Sequence, residues 1–241
     1  MIKAAFFDLG DTLCDYQAAA QVAIGSACEY AVTHAPALTA GGLREAYLRD
    51  VRHAEEEARR WVASRFGSSS GVDDQSYRLW QRALEKCGVA NPILAHAVAL
   101  HYQLARMRAL RLFPDALPAL QALQGRVRVG VIAEGSPGIV NEELGLLELR
   151  GLLTTVVVEG EAGFAKRDAQ LFLHALREAA CQPAQAAHVG DSLQYDVAPA
   201  RQAGLMTVWV NRSGGVADGA DAPDRTVSSL QPVPDLLLGR P

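Results

Sequence analysis

From Pro114 onward this chain alternates between two patterns. Segments of helical character, Ala116–Leu123, Pro137–Leu144, Ala169–Ala180 and Val197–Ala203, are separated by short apolar runs at Val127–Ile132, Thr154–Val158, Ala186–Val189 and Met206–Val210. Short apolar strands that alternate with helices pair in parallel, and the helices cover both faces of the sheet. One more apolar run, Ile2–Phe7, opens the chain, and a carboxylate, Asp8, sits just past its end. In open α/β sheets reactive groups collect at the carboxyl ends of strands, so Asp8 is placed to act as a nucleophile or a metal ligand. A polar loop from Gly214 to Pro223, a last strand at Thr226–Val227 and a short helix near Pro234–Leu238 complete the α/β part.

Between the first strand and this alternation lies a block with no strand-like run. Gln17 to Val32 is rich in Ala, the best helix former. Leu43 to Val62 repeats apolar residues near Leu43, Ala46, Tyr47, Val51 and Ala54, with Arg and Glu on the other face. After a Ser/Gly loop, Gly67 to Gly71, come Tyr77–Cys87, stopped by Gly88, and then Pro92–Met107. Four helices over roughly ninety residues are an ordinary size for an inserted subdomain. Arg44, Arg49, His53, Arg59, Arg60, Trp61 and Arg65 read as a solvated face, from which one or two side chains could reach a substrate. His96 and His101 lack metal-ligand spacing and read as surface or core residues.

With 241 residues the chain can bury a core plus an inserted subdomain. A hydrophobic fraction of 49% and a charged fraction of 21% suit a soluble globular protein. The net charge of −4 offers no basic footprint for nucleic acid. No apolar run approaches the ~20 residues that span a bilayer, so no membrane role is expected. The N-terminal apolar stretch is broken by Asp8 and shows no small-residue cleavage site, which makes the cytoplasm the expected location. Cys14, Cys28, Cys87 and Cys181 have no metal-type spacing and read as small buried hydrophobes. Nothing in the sequence fixes an oligomeric state.

Three later segments join the first turn, Asp8-Leu9-Gly10-Asp11-Thr12-Leu13, to make a pattern. They are Ala133-Glu134-Gly135-Ser136, the stretch Gly163–Asp168 with Lys166 inside it, and Gly190-Asp191 followed five positions later by Asp196. In this order they resemble the four signature motifs of the haloacid dehalogenase-like (HAD) hydrolase superfamily, from Met1 to about Asn211. The resemblance implies a Rossmann-like parallel sheet core, residues 1–15 and 109–241, with an all-helical cap of residues 16–108. It also implies a reaction in which Asp8 takes a phosphoryl group from a small-molecule phosphate ester and water then hydrolyses the aspartyl-phosphate. Such chemistry asks mainly for positioning and for neutralisation of spread-out negative charge. By the same resemblance Lys166 holds Asp8 and the phosphoryl oxygens. Mg²⁺, which prefers hard oxygen ligands, takes Asp8, the Gly10 carbonyl and Asp191, with Asp196 acting through water. Thr12 closes the loop through its hydroxyl or touches phosphate, and Gly135 offers backbone contact to phosphate where Ser136 and Pro137 open a helix.

Two positions depart from the family pattern. Phosphatases of this family usually carry a second Asp, the general acid and base, where this chain has Gly10, and a Thr or Ser where it has Ala133. Asp11 is one position away from the acid's place, but adjacent residues leaving a strand point to opposite sides, so it reads as a turn residue. Ser136 reads as an N-cap rather than a nucleophile. Three functions stay open at this point. The first is a Mg²⁺-dependent phosphatase weakened by Gly10, since losing a positioned acid–base group costs ~10² to 10⁴ in rate. The second is a binding or regulatory protein on a catalytically degraded enzyme fold. The third is a 2-haloacid dehalogenase, for which Gly10 is compatible but Asp191 and Asp196 have little use.

Overall fold

The computed structural model of the protein describes residues 1–60, 74–215 and 222–240. In chain order the elements are β1 (Ala4–Phe7), α1 (Tyr16–His34), α2 (Ala40–Arg60), α3 (Asp74–Lys86) and α4 (Pro92–Ala109). There follow α5 (Ala116–Leu123), β2 (Arg128–Ala133), α6 (Pro137–Leu146), β3 (Thr155–Val158), the single turn α7 (Glu159–Ala162) and α8 (Ala169–Glu178). The chain ends with β4 (Ala186–Gly190), α9 (Ala198–Gln202), β5 (Met206–Val210), β6 (Arg225–Val227) and α10 (Val233–Leu238). It divides into two compact units, Met1–Asp15 with Arg111–Pro241, and Tyr16–Leu110. The second division lies slightly beyond the 108/109 boundary expected from the sequence. The reason is local: α4 runs to Ala109 and closes when the Leu110 N–H bonds the Met107 carbonyl at 3.3 Å.

The first unit is built on a six-stranded parallel sheet in the order β3-β2-β1-β4-β5-β6, the Rossmann-like α/β arrangement. β1 is central and buried over its whole length, and each buried Phe contributes about 1.5–3 kcal/mol. Phe6 joins Ala4, Ile132, Leu171 and Phe172 in one apolar cluster under the sheet. Gly130 of β2 makes room for that ring, because a Cβ there would stand 2.8 Å from Phe6 Cδ1. The alignment of β2, β1 and β4 side by side brings Ala133, Asp8 and Gly190 to one edge of the sheet.

One expected helix changes form. Instead of starting at Val197, the chain makes a π-helical turn at Leu193–Val197 before α9. Ser192 causes this: its hydroxyl accepts from the Tyr195 N–H at 3.1 Å, and its carbonyl accepts from Val197 N–H at 3.1 Å, one residue wider than an α-turn. The turn α7 is an element not read in the sequence, and Gly163, at φ 78, ends it.

Among the described residues the second unit holds four helices around its own core of Leu43, Trp80, Leu84 and Val98, with Tyr47 stacked on Trp80 at 3.9 Å between ring centroids. Asn91 caps α4 by accepting from the Leu94 N–H at 3.0 Å, and Pro92 fills the first helical position. His101 bonds Ser26 at 2.9 Å and stacks on Tyr30, a structural use for a histidine with no metal spacing. Arg44 and Arg49 pair with Gln21 and Glu45 on the exposed surface. The expected Gly67–Gly71 loop, Trp61 and Arg65 lie outside the described residues, as do part of the Gly214–Pro223 loop and the side chains of Arg59 and Arg60. Cys14 and Cys28 are buried as expected; Cys87 and Cys181 are only half-buried, because each sits just past the end of a helix. Among the described residues no helix is long and apolar enough to cross a membrane.

Candidate active site

Asp8 is held at the end of β1 by its own backbone, whose N–H donates to the Val189 carbonyl of β4 at 2.9 Å. Beyond it the chain turns sharply. Cys14 N–H returns to the Leu9 carbonyl at 3.0 Å, Gly10 bridges to Cys14, and Asp11 takes a left-handed φ of 54°. The chain is therefore not extended at Asp11, and the alternation argument that turned it away from the site does not apply there. Its negative charge is felt at Asp191, whose carboxyl it helps to raise. Thr12 is fully buried; its hydroxyl donates to Asp191 Oδ1 at 3.2 Å, and its carbonyl accepts from Arg212 at 3.0 Å.

Lys166 enters from the loop after α7. Its N–H donates to Glu159 Oε2 at 2.9 Å, and two residues on Asp168 caps α8 through the Gln170 N–H at 2.9 Å. The Lys166 side chain is 2% exposed. It hydrogen-bonds Asp8 Oδ1 and lies 2.8 Å from Asp196 Oδ1. Asp196 reaches this place from the π-turn, packed against the backbone of Gly190 so closely that a Cβ there would fall 2.2 Å from its Cγ. Glycine at 190 is thus a requirement of the carboxylate beside it. Asp196 also accepts from His188 Nε2 at 2.9 Å and from the Ser192 N–H at 3.0 Å. Asp191 sits at the rim, its carbonyl accepting from Trp209 Nε1 at 2.7 Å.

Asp8, Asp191 and Asp196 each offer an oxygen, all within 4.8 Å of one another. Three carboxylates thus surround one ammonium, and the electrostatics follow from that excess. Burial raises the Asp8 carboxyl well above the usual carboxylate range; Lys166 opposes this, while Asp196 and Asp191 add to it. Burial and the Asp196 charge push Asp191 up to about 6. Burial also acts against charge on Asp196 and Lys166, but their mutual attraction outweighs it, holding Asp196 below and Lys166 above their ordinary values. Burial lowers the His188 imidazole below its usual value. A hard divalent cation would remove the surplus negative charge, and an all-oxygen donor set suits Mg²⁺.

The sheet edge thus gathers Asp8, Lys166, Asp191, Asp196 and Thr12 in direct contact or within a few ångströms. Gly10 lies in the turn next to them. Gly135 stands at the end of β2, the neighbouring strand, with φ 98 and with open space where a Cβ would be. Ser136 occupies the N-cap position of α6, but its hydroxyl makes no capping bond. Glu134 is solvent-exposed there, and its charge still reaches Lys166. Three residues escaped the sequence reading: His188, Trp209 and Glu159. Of these only His188 left a signal, a lone polar residue inside an apolar strand, two positions before Gly190-Asp191.

A parallel α/β core that carries an Asp–Lys–Asp–Asp cluster at its strand ends defines a class of hydrolase. The chain belongs to the haloacid dehalogenase-like hydrolases, whose family model matches residues 2–204. It is 34% identical over 157 residues to a phosphoserine phosphatase of Thermus thermophilus, an alignment covering 65% of this chain and 62% of that protein. It is 29% identical over 212 residues to a glyceraldehyde 3-phosphate phosphatase of Methanothermobacter thermautotrophicus, covering 88% and 86% of the two chains. Among solved structures, a 2-haloacid dehalogenase from Pseudomonas syringae pv. tomato superimposes with a TM-score of 0.70 at 26% identity over 99% of both chains.

Proposed function

We propose that this hydrolase is a Mg²⁺-dependent phosphatase that cleaves small phosphorylated metabolites through an aspartyl-phosphate on Asp8. The observation that supports it most is the cluster of Asp8, Asp191 and Asp196 oxygens within 4.8 Å, neutralised only in part by Lys166. The phosphatases among its relatives point the same way. In this reading an Asp8 oxygen attacks phosphorus, the bond to the ester oxygen breaks, and the alcohol leaves with a proton drawn from water. Water then attacks the same phosphorus, releasing inorganic phosphate and restoring the Asp8 carboxylate. Lys166 neutralises charge on Asp8 and on the phosphoryl oxygens throughout. Asp8, the Gly10 carbonyl and Asp191 would hold Mg²⁺, with Asp196 behind them, and the ion would supply charge stabilisation to the transferring group. Residues 16–108, the helical unit, serve as the cap in the same reading.

A second reading, haloacid dehalogenase, is favoured by the Pseudomonas structure and by the absence of an acid at Gly10. One panel separates them: aryl, acyl and alkyl phosphates and 2-chloropropionate, each with Mg²⁺ and with EDTA. Metal-dependent phosphate release and no chloride release are expected. Thermal melts should rise with Mg²⁺ as RT ln(1 + [L]/Kd), by an increment that Asp191→Asn abolishes and Asp196→Asn weakens. Chloride release without metal moves the assignment to the dehalogenase. No turnover, with no metal effect on melting, moves it to a non-catalytic binding protein.

A further inference from the structure

The Asp196 carboxylate is held by three donors. Lys166 Nζ lies 2.8 Å from Oδ1, and His188 Nε2 lies 2.9 Å from the same oxygen, while Oδ2 takes the Ser192 N–H at 3.0 Å. An ionised carboxylate only accepts hydrogen bonds, so the nitrogen facing it carries the hydrogen, and the His188 ring is the Nε2–H tautomer. The other nitrogen, Nδ1, is buried and has no partner among the described residues. His188 is 1% exposed, and the Phe172 ring is set edge-on to the imidazole with 4.9 Å between ring centroids. A buried acceptor left without a partner costs the fold stability, and an apolar residue in the same space would not incur that cost. What the imidazole adds is therefore its one bond to Asp196.

We propose that His188 is a positioning residue for the reaction on Asp8, and that it works by setting how Lys166 is divided between two carboxylates. The inference rests on the phosphatase reading. Lys166 Nζ serves Asp8 and Asp196 together. With the His188 donor in place, Asp196 has three donors, and its orientation is held. Without it, Asp196 has only Lys166 and a backbone N–H, and it draws the ammonium toward itself. Asp8 and the phosphoryl oxygens then lose the cation they share. The donor's position is rigid, because His188 lies on β4 between Phe6 of β1 and Thr207 of β5, paired on both sides.

Two variants of one chemistry test this. His188→Gln keeps an amide N–H within reach of Asp196, and His188→Asn is too short to reach it. With Mg²⁺ and an aryl phosphate, His188→Asn should lower kcat by about 10- to 100-fold with KM within about two-fold of wild type. His188→Gln should recover most of that loss. Mg²⁺ affinity, measured by calorimetry without substrate, should weaken in the Asn variant and return in the Gln variant. Circular dichroism melts check that each is folded, and His188→Leu replaces His188→Asn under the same criteria if the latter is not. Wild-type turnover retained in full by His188→Asn overturns the inference alone, as does a loss that His188→Gln does not restore. No metal-dependent turnover by the wild type removes the phosphatase reading, and this inference with it.

Discussion

At Gly10 a missing side chain governs the expected kinetics. With no acid for the leaving group and no base for the hydrolytic water, rates should depend steeply on leaving-group pKa, aryl and acyl phosphates running well ahead of alkyl ones. The left-handed φ of this turn falls on Asp11 (φ 54), not on Gly10, so an L-residue at position 10 meets no backbone penalty of that kind. Gly10→Asp should therefore speed alkyl ester hydrolysis ten-fold or more, about 1.4 kcal/mol of barrier, in single-turnover assays. A flat leaving-group dependence in the wild type would assign the proton to another group, with Asp11 the nearest candidate. Gly190 is the opposite case. A methyl group there would overlap Asp196 Cγ at 2.2 Å. Gly190→Ala should cost about 1–3 kcal/mol, visible as a drop of several degrees in Tm, and should remove turnover by displacing Asp196 from Lys166. Wild-type Tm in that variant would contradict the packing described here.

Elements are tied together by one clamp outside the catalytic cluster. Asp115, just before α5, accepts from both Arg212 NH groups at 3.0 Å, and from the Leu230 N–H near α10 at 2.8 Å. Arg212 follows β5, lies 3.9 Å over the Phe113 ring, and also donates to the Thr12 carbonyl. One carboxylate thus joins the N-terminal turn, the end of the sheet and the C-terminal helix. Asp115→Asn should cost about 1.5–3 kcal/mol at neutral pH, as for hydrogen bonds to charged groups. The Arg212 and Leu230 hydrogen bonds overcome the effect of burial and hold the Asp115 carboxyl below its usual value. Because the folded-state pKa is the lower one, this stabilisation is complete above the unfolded value of ~3.9 and is lost as pH falls through the folded value. The gap between wild type and Asp115→Asn in denaturant melts should therefore narrow below about pH 4. A gap that stays constant to pH 2 would show that the charge of Asp115 is not what the clamp uses.

For the whole molecule, two cores mean two folding units. The helical unit packs around Leu43, Trp80, Leu84 and Val98, and the α/β unit has its own cluster around Phe6, Ile132 and Phe172. Within the α/β unit the two segment ends that flank the helical unit meet: Asp15 N–H donates to the Arg111 carbonyl at 3.0 Å. A short Gly/Ser linker in place of Tyr16–Leu110 should therefore leave the α/β unit folded, with far-UV circular dichroism of a mixed α/β protein and cooperative melting. If the helical unit acts as the cap, the shortened protein should still cleave a small aryl phosphate but lose discrimination among larger esters, since a lid excludes water and completes a site. An insoluble or molten product would show that the α/β unit depends on the helices.

Sequence alone determined what periodicity and short-range spacing encode. The alternation of apolar runs and helices dictated the parallel sheet, the strand-end rule singled out Asp8, and the resemblance of the later motifs to a known family added Lys166, Asp191 and Asp196. Helix ends were legible where one residue type has one use, as at Pro92, which opens α4, and at Gly88 with φ 83. Tertiary structure alone decided which carboxylate takes which partner. A histidine in an apolar strand reads as core from its neighbours, and only the π-turn, which returns Asp196 beneath Gly190, makes His188 part of the site. Asp11 likewise reads as pointing away until the turn shows its left-handed backbone. Hydrogen bonds between residues far apart in the chain leave no period in the sequence, because their geometry exists only once the strands that carry them are paired.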